Sequence, residues 1–113
     1  MQLSNGSGRR RNSMEIDYTI LRAALEGQRK TRIMYQSRLN LKQLNQRLGV
    51  LSECALVTYL PDEHRYVTTE RGRAFTKAYE RRNEIADSLA QQERELARFL
   101  SISREKKPVV VPA

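Results

Sequence analysis

Apolar positions along this chain form three short helical patterns, then two short β-rich segments, then one long thin stripe. In the first pattern Ile16, Ile20, Leu21, Ala24 and Leu25 recur at spacings that give a helix one buried face. Ser13 stands where a cap belongs, Glu15 and Asp17 suit the positive end of the helix dipole, and Gly27 can end the element. After the basic connector Arg29-Lys30, Thr31 is expected to cap a short second helix with Ile33, Met34 and Tyr35 inward. Asn40 is expected to cap a third, with Leu41, Leu44, Leu48 and Leu51 as its inner face. Gly49 weakens that helix by about 1 kcal/mol relative to alanine. Ala55 to Leu60 is rich in β formers, Pro61-Asp62-Glu63-His64 reads as a turn, and Arg65 to Thr68 as a second strand. Such a hairpin is marginal alone and needs the helices behind it.

From Thr68 to about Ser103 one charged helix is expected, with Thr68 as cap, Glu70 in the first turn and no breaker after Gly72. Phe75, Arg82, Leu89, Leu96 and Ser103 recur every seven residues. Ala78 or Tyr79, Ile85 or Ala86, and Phe99 or Leu100 fill the positions between. A helix of about 35 residues is roughly 50 Å long, far more than so small a chain can cover. Phe75 and Ala78 can belong to the core of one domain, but no segment remains to cover the seam beyond them. Ile85, Ala86, Leu89, Gln92, Leu96, Phe99 and Leu100 are therefore the expected contact with a second copy. In a parallel pair Arg82 and Gln92 would each face themselves; an antiparallel pair sets them opposite other residues, such as Glu93 or Glu95.

The charge is unevenly placed. The chain carries a net +8, and residues 1–82 hold 16 Lys/Arg against 8 Asp/Glu, whereas residues 83–113 hold 5 of each. The whole excess sits before the distal seam, which points to a polyanionic partner rather than to a merely solubilising surface. Residues 1–13 read as a flexible basic arm ending in Arg9-Arg10-Arg11, residues 14–75 as the globular head, 68–104 as the long helix and 105–113 as an extended tail barred from helix by Pro108 and Pro112. The one cysteine, Cys54, excludes an internal disulfide and reads as a small core residue. No apolar run approaches a membrane span and no signal peptide follows the N-terminal arginines, so a soluble cytoplasmic protein is expected.

Catalytic constellations are absent from the sequence. His64 is the only histidine and has neither a second histidine nor a cysteine beside it, whereas a metal site needs three or four such ligands. There is no phosphate-cradling glycine loop, nucleophile elbow or carboxylate pair in an apolar setting. No enzyme, metal or cofactor is expected. The order helix, helix, helix, hairpin, long helix is instead that of a winged helix-turn-helix head with a helical extension, a mainly α fold with a small β-hairpin.

Specific strings carry a family resemblance. Lys30-Thr31-Arg32-Ile33-Met34-Tyr35, Leu39-Asn40-Leu41, Leu56-Val57 and Tyr66-Val67-Thr68-Thr69-Glu70-Arg71-Gly72 resemble small archaeal winged-helix proteins, in particular the "10a" chromatin proteins of thermoacidophilic archaea. The resemblance covers about residues 14–103, and it implies dimers paired through an antiparallel coiled coil, with the heads at opposite ends. One departure is Ala55, where such domains usually carry glycine after the third helix.

With its leucines buried, the third helix must turn Lys42, Gln43, Gln46 and Arg47 outward, where amides and an arginine suit base edges and a lysine suits phosphate. Arg47 and Gln43 are the foremost base-contact candidates. Thr31 and the free N–H groups opening the second helix form a phosphate site flanked by Lys30, Arg32 and Arg38. His64 and Arg65 of the wing, with the Arg9, Arg10 and Arg11 arm, are placed to reach an adjacent minor groove. Backbone-directed cations outnumber base readers. The expected protein is thus a homodimer that binds duplex DNA with low sequence selectivity and bends or bridges it, nucleoid-associated in an archaeal cell. The alternatives are a sequence-specific regulator on the same scaffold, or an RNA- or protein-binding module using the wing and Val109–Val111.

Overall fold

The computed structural model describes residues 12–105, with side chains through residue 101. The arginines expected to form a basic arm and the Pro-Val tail lie outside the described residues. Six elements follow in the expected order: α1 Ser13–Ala23, α2 Lys30–Ser37, α3 Leu41–Glu53, β1 Val57–Leu60, β2 Arg65–Thr68 and α4 Glu70–Glu105. The chain divides into two compact units between Tyr79 and Glu80, so α4 begins in the first and supplies the second.

Several helix ends differ from expectation for local reasons. Asn12, not Ser13, caps α1, its side chain accepting the Glu15 N–H at 2.8 Å. Asn and Ser are comparable caps, and the carboxamide takes the role one residue earlier. The helix stops at Ala23. Gly27 is instead the turn beyond it, at φ 96°, and leads Gln28 onto the free edge of β2, where Gln28 and Tyr66 exchange two backbone hydrogen bonds of 2.8 Å. Helix α2 starts at Lys30, so Thr31 lies inside its first turn rather than capping it, and no side chain caps this end. Ile33 and Ser37, one turn apart, define its buried face, which leaves Tyr35 70% exposed instead of inward.

Asn40 caps α3 as expected, in a full capping box. Its Oδ1 accepts the Gln43 N–H at 2.8 Å and its own N–H donates to Gln43 Oε1 at 3.1 Å. Leu44, Leu48 and Leu51 are buried, but Leu41 is exposed, and Leu39 takes its place in the core. Leu39 and Leu44 occupy the positions of a hydrophobic staple about the cap, and both belong to one core cluster. Cys54, expected in the core, is exposed at the C-cap. Ala55 follows at φ 63°, with its N–H donating to Ser52 O (3.0 Å) and the Leu56 N–H to Leu51 O (2.9 Å). These are the two bonds of a Schellman closure, whose left-handed position favours glycine. That closure uses Ala55 and Leu56, so β1 begins only at Val57.

The core gathers Ile20 and Leu21 of α1 with Ala24 at its C-cap, Ile33 of α2, Leu39, the three α3 leucines and Val57 of β1, with Phe75 of α4 packed against it. Tyr79 closes this unit by stacking on Tyr18 at 4.7 Å between ring centroids, while Ala78 is exposed. A half-buried ion pair joins α1 to α3: the Arg47 guanidinium donates to both Asp17 carboxylate oxygens at 2.8 Å.

The passage from wing to α4 ties the remaining ends together. Thr68 does not cap α4; it is buried at the end of β2, its Oγ1 donating to Leu21 O at 2.7 Å and its N–H to Ala24 O at 2.9 Å. The cap is Thr69, whose Oγ1 accepts the Gly72 N–H at 3.0 Å and donates to Ala55 O at 2.7 Å. Arg71 Nε donates to Cys54 O and Arg73 Nη2 to Leu25 O, both at 3.0 Å. Gly72 lies against the same turn: a Cβ there would overlap the Leu56 carbonyl oxygen and stand 2.5 Å from Thr68 Cγ2.

Two substitutions test this geometry by urea unfolding. Gly72→Ala, which stabilises an open helix by about 1 kcal/mol, should here destabilise by about 2 kcal/mol through overpacking against backbone. Ala55→Gly should stabilise by about 0.5–1 kcal/mol by relieving the left-handed alanine; an unchanged or lower midpoint would contradict the Schellman closure.

Candidate nucleic-acid interface

Burying Leu44, Leu48 and Leu51 turns the opposite side of α3 to solvent. Lys42, Gln46 and Gly49 line that side at helical spacing, flanked by exposed Asn45, and all four are exposed. Gln43 is exposed too, but its Oε1 is used by the capping box, leaving the amide NH₂ as its outward group. Arg47 stands apart from this set. It lies toward α1, where both Asp17 carboxylate oxygens accept from the Nε–Nη2 edge of its guanidinium and raise its pKa, chiefly through the hydrogen bond. A guanidinium so held positions α3 before it contacts anything else.

In α2 the exposed side of the first turn carries Thr31 and Arg32, with Lys30 half-buried beside them. Gln28 Oε1 accepts the Arg29 N–H at 3.0 Å, but no side chain caps the first turn of the helix itself, the arrangement that accepts an anion. Arg38 is exposed in the left-handed turn between α2 and α3. Tyr35 and Leu41 add an exposed aromatic ring and an exposed aliphatic side chain on these two helices, both read as inward from periodicity.

The wing is less basic than its sequence suggests. Arg65 is half-buried and its Nη1 donates to Gly27 O at 3.3 Å, back toward the α1–α2 connection. His64 is exposed at φ 54°, its Nδ1 3.3 Å from the Tyr59 hydroxyl, and exposed Asp62 and Glu63 precede it. Arg9, Arg10 and Arg11 lie outside the described residues. Of the cations expected at the interface, the structure therefore brings Lys30, Arg32 and Lys42 to exposed or half-exposed sites on the two helix-turn-helix helices, and turns Arg47 and Arg65 toward internal partners.

Asp17 is the residue that sequence reading assigned to the wrong task. It falls with Ile20 and Leu21 on the apolar side of α1, continued by Ala24 at the C-cap, and a carboxylate on such a stripe calls for a cationic partner. In the second unit Ile85, Leu89, Leu96, Phe99 and Leu100 are each 59–69% exposed, and Ala86 and Gln92 are exposed with them. No group of His, Cys, Asp and Glu able to hold a metal occurs among the described residues. No helix among them is long and apolar enough to cross a membrane.

Comparison with known proteins agrees with this architecture. No curated protein matches the chain. Among solved structures it is similar to Sso10a-2, a DNA-binding protein from Sulfolobus solfataricus, with a TM-score of 0.70 and 25% identity over 80% of this chain and 97% of that one. This is a protein of the 10a group that the motifs resemble. The winged helix-turn-helix family profile matches residues 10–87, well over half the chain. The chain belongs to the winged helix-turn-helix family.

Proposed function

We propose that this protein binds duplex DNA as a homodimer and acts architecturally, bending or bridging DNA with low sequence selectivity. The observation that carries the reading is the outward side of α3, where Lys42 and Gln46 are free to enter a groove while the leucines behind them are fully used by the core. Phosphate contacts from Lys30, Thr31, Arg32 and Arg38 then fix the register of the head on the duplex. The similar structure is itself titled a DNA-binding protein. Arg47 takes part by seating α3 rather than by reading bases, Arg65 by holding the wing to the Gly27 carbonyl, and His64 and the Arg9–Arg11 arm remain the proposed minor-groove contacts. Such a protein works without catalysis or cofactor, in the cytoplasm, on the chromosome of an archaeal cell.

Self-association rests on the distal half of α4. Ile85, Leu89, Leu96 and Phe99 fall there on alternating steps of four and three, with Gln92 filling the place between Leu89 and Leu96 and Leu100 beside Phe99, and all five large apolar side chains stay exposed in one chain. An exposed stripe of that kind associates in water, and pairing with a second copy covers it along its length; the antiparallel orientation accommodates Arg82 and Gln92. A sequence-specific regulator on the same scaffold is the second reading. The amides of Gln43, Asn45 and Gln46 favour it, because such side chains suit adenine edges.

Binding to random-sequence duplex over a salt series separates these readings. Six to ten phosphate contacts make affinity fall about 10³–10⁵-fold between 50 and 200 mM salt. The architectural role predicts that fall with less than about a 10³-fold preference for any selected sequence; a larger preference, with discrete protected half-sites, would establish the regulator. Lys42→Ala and Gln46→Ala should weaken binding with an unchanged unfolding midpoint. Arg47→Ala should instead destabilise the fold by about 2 kcal/mol by stranding Asp17. Leu89→Asp should convert the dimer to monomer by light scattering, and a persistent dimer would remove the α4 stripe from the interface.

A further inference from the structure

Gly49 has no structural reason to be glycine. Gly27 needs its left-handed backbone and Gly72 has no room for a Cβ, but Gly49 sits in regular right-handed helix and a Cβ built on it meets nothing within 4 Å. At an exposed interior position of a helix, glycine is worse than almost any other residue. What glycine leaves at this place is bare backbone, on the side of α3 that also carries Lys42 and Gln46, seven and three residues earlier.

The charge along that side decides how α3 meets a polyanion. It runs from Lys42 through Gln46 and Gly49 to Glu53, all exposed, so it is cationic at the N-terminal end and anionic at the C-terminal end. A helix laid flat along a groove would press Glu53 against phosphates. A helix entering by its N-terminus puts Lys42 and Gln46 in the groove and carries Glu53 away from it. In that pose the outward side would pass a phosphodiester strand of the groove wall between its two ends, and Gly49 lies between Gln46 and Glu53 on that side.

We infer that Gly49 is a close-approach point, where the bare α3 backbone passes against a DNA strand and thereby sets how deeply the helix enters the groove. The inference rests on the DNA-binding reading above and adds a positioning residue to it. Steric standoff is the operative effect, so side-chain volume outweighs charge: a lysine here lifts the helix off the strand even though it adds a cation.

The test compares Gly49→Ala and Gly49→Lys with the unaltered full chain, measuring the thermal midpoint by circular dichroism and affinity for random-sequence duplex at one salt concentration. Both variants should melt at or above the unaltered protein, since alanine and lysine are good helix formers. Alanine should weaken duplex binding at least threefold and lysine at least tenfold. Weaker binding by a more stable protein cannot come from a damaged fold. A lysine variant that binds as well as or better than the unaltered chain would overturn the inference while leaving the DNA reading intact. Failure of the unaltered chain itself to bind duplex would overturn both.

Discussion

The fold depends on a short passage, residues 68–73, in which the chain leaves the wing and becomes α4. Helices α1 and α3 both end there with open carbonyl groups, and such groups must find donors. Thr68 and Arg73 serve the end of α1, at Leu21, Ala24 and Leu25. Thr69 and Arg71 serve the end of α3, at Cys54, Ala55 and Leu56. Gly72 permits the approach, because its Cα is all that fits against the Leu56 carbonyl. One strand exit thus fixes the two helices relative to each other, and with them the wing and the root of α4.

That constraint bears on function through α3. Its leucines set which side faces the core, the end closure at Ala55 and Leu56 sets where the helix stops, and the Asp17–Arg47 pair holds it against α1. Breaking a half-buried pair of this kind strands a charge, so each partner stabilises the other even where the pair adds little over an apolar contact. The outward side is left with Lys42, Gln46 and a bare Gly49, and ends at Glu53. On the proposed function, a surface so fixed would dock without rearranging, which would lower the entropy cost of binding.

Much of this was legible in the sequence wherever a single period or cap decided the matter. The three leucines Leu44, Leu48 and Leu51, the Asn40 cap, the Arg65–Thr68 strand and the unbroken length of α4 all follow from spacing and local chemistry. The errors arose where two neighbouring residues offered the same chemistry, as with Asn12 and Ser13 or Thr68 and Thr69; only tertiary hydrogen bonds choose between them. Periodicity also misplaced Tyr35, Leu41 and Cys54: Tyr35 is two residues from Ile33 and so on the other side of α2, Leu39 takes the core place at the start of α3 instead of Leu41, and Cys54 stands at the C-cap where the chain leaves the helix. The candidate site was legible in its elements but not in its individual cations. Arg47 and Arg65 look outward in sequence and are taken up by Asp17 and by the Gly27 carbonyl through contacts some 30 and 38 residues away in the chain.

The central claim is that the solvent side of α3 is the surface that meets duplex DNA. Amide chemical-shift mapping of the ¹⁵N-labelled protein during titration with a short random-sequence duplex tests it most directly. The account predicts the largest shifts at Thr31, Arg32, Lys42, Gln46 and Gly49, with little change at Leu44, Leu48 and Leu51 beyond what their neighbours transmit. Shifts confined to the wing tip or to the distal half of α4, with α3 unmoved under saturating duplex, would contradict it.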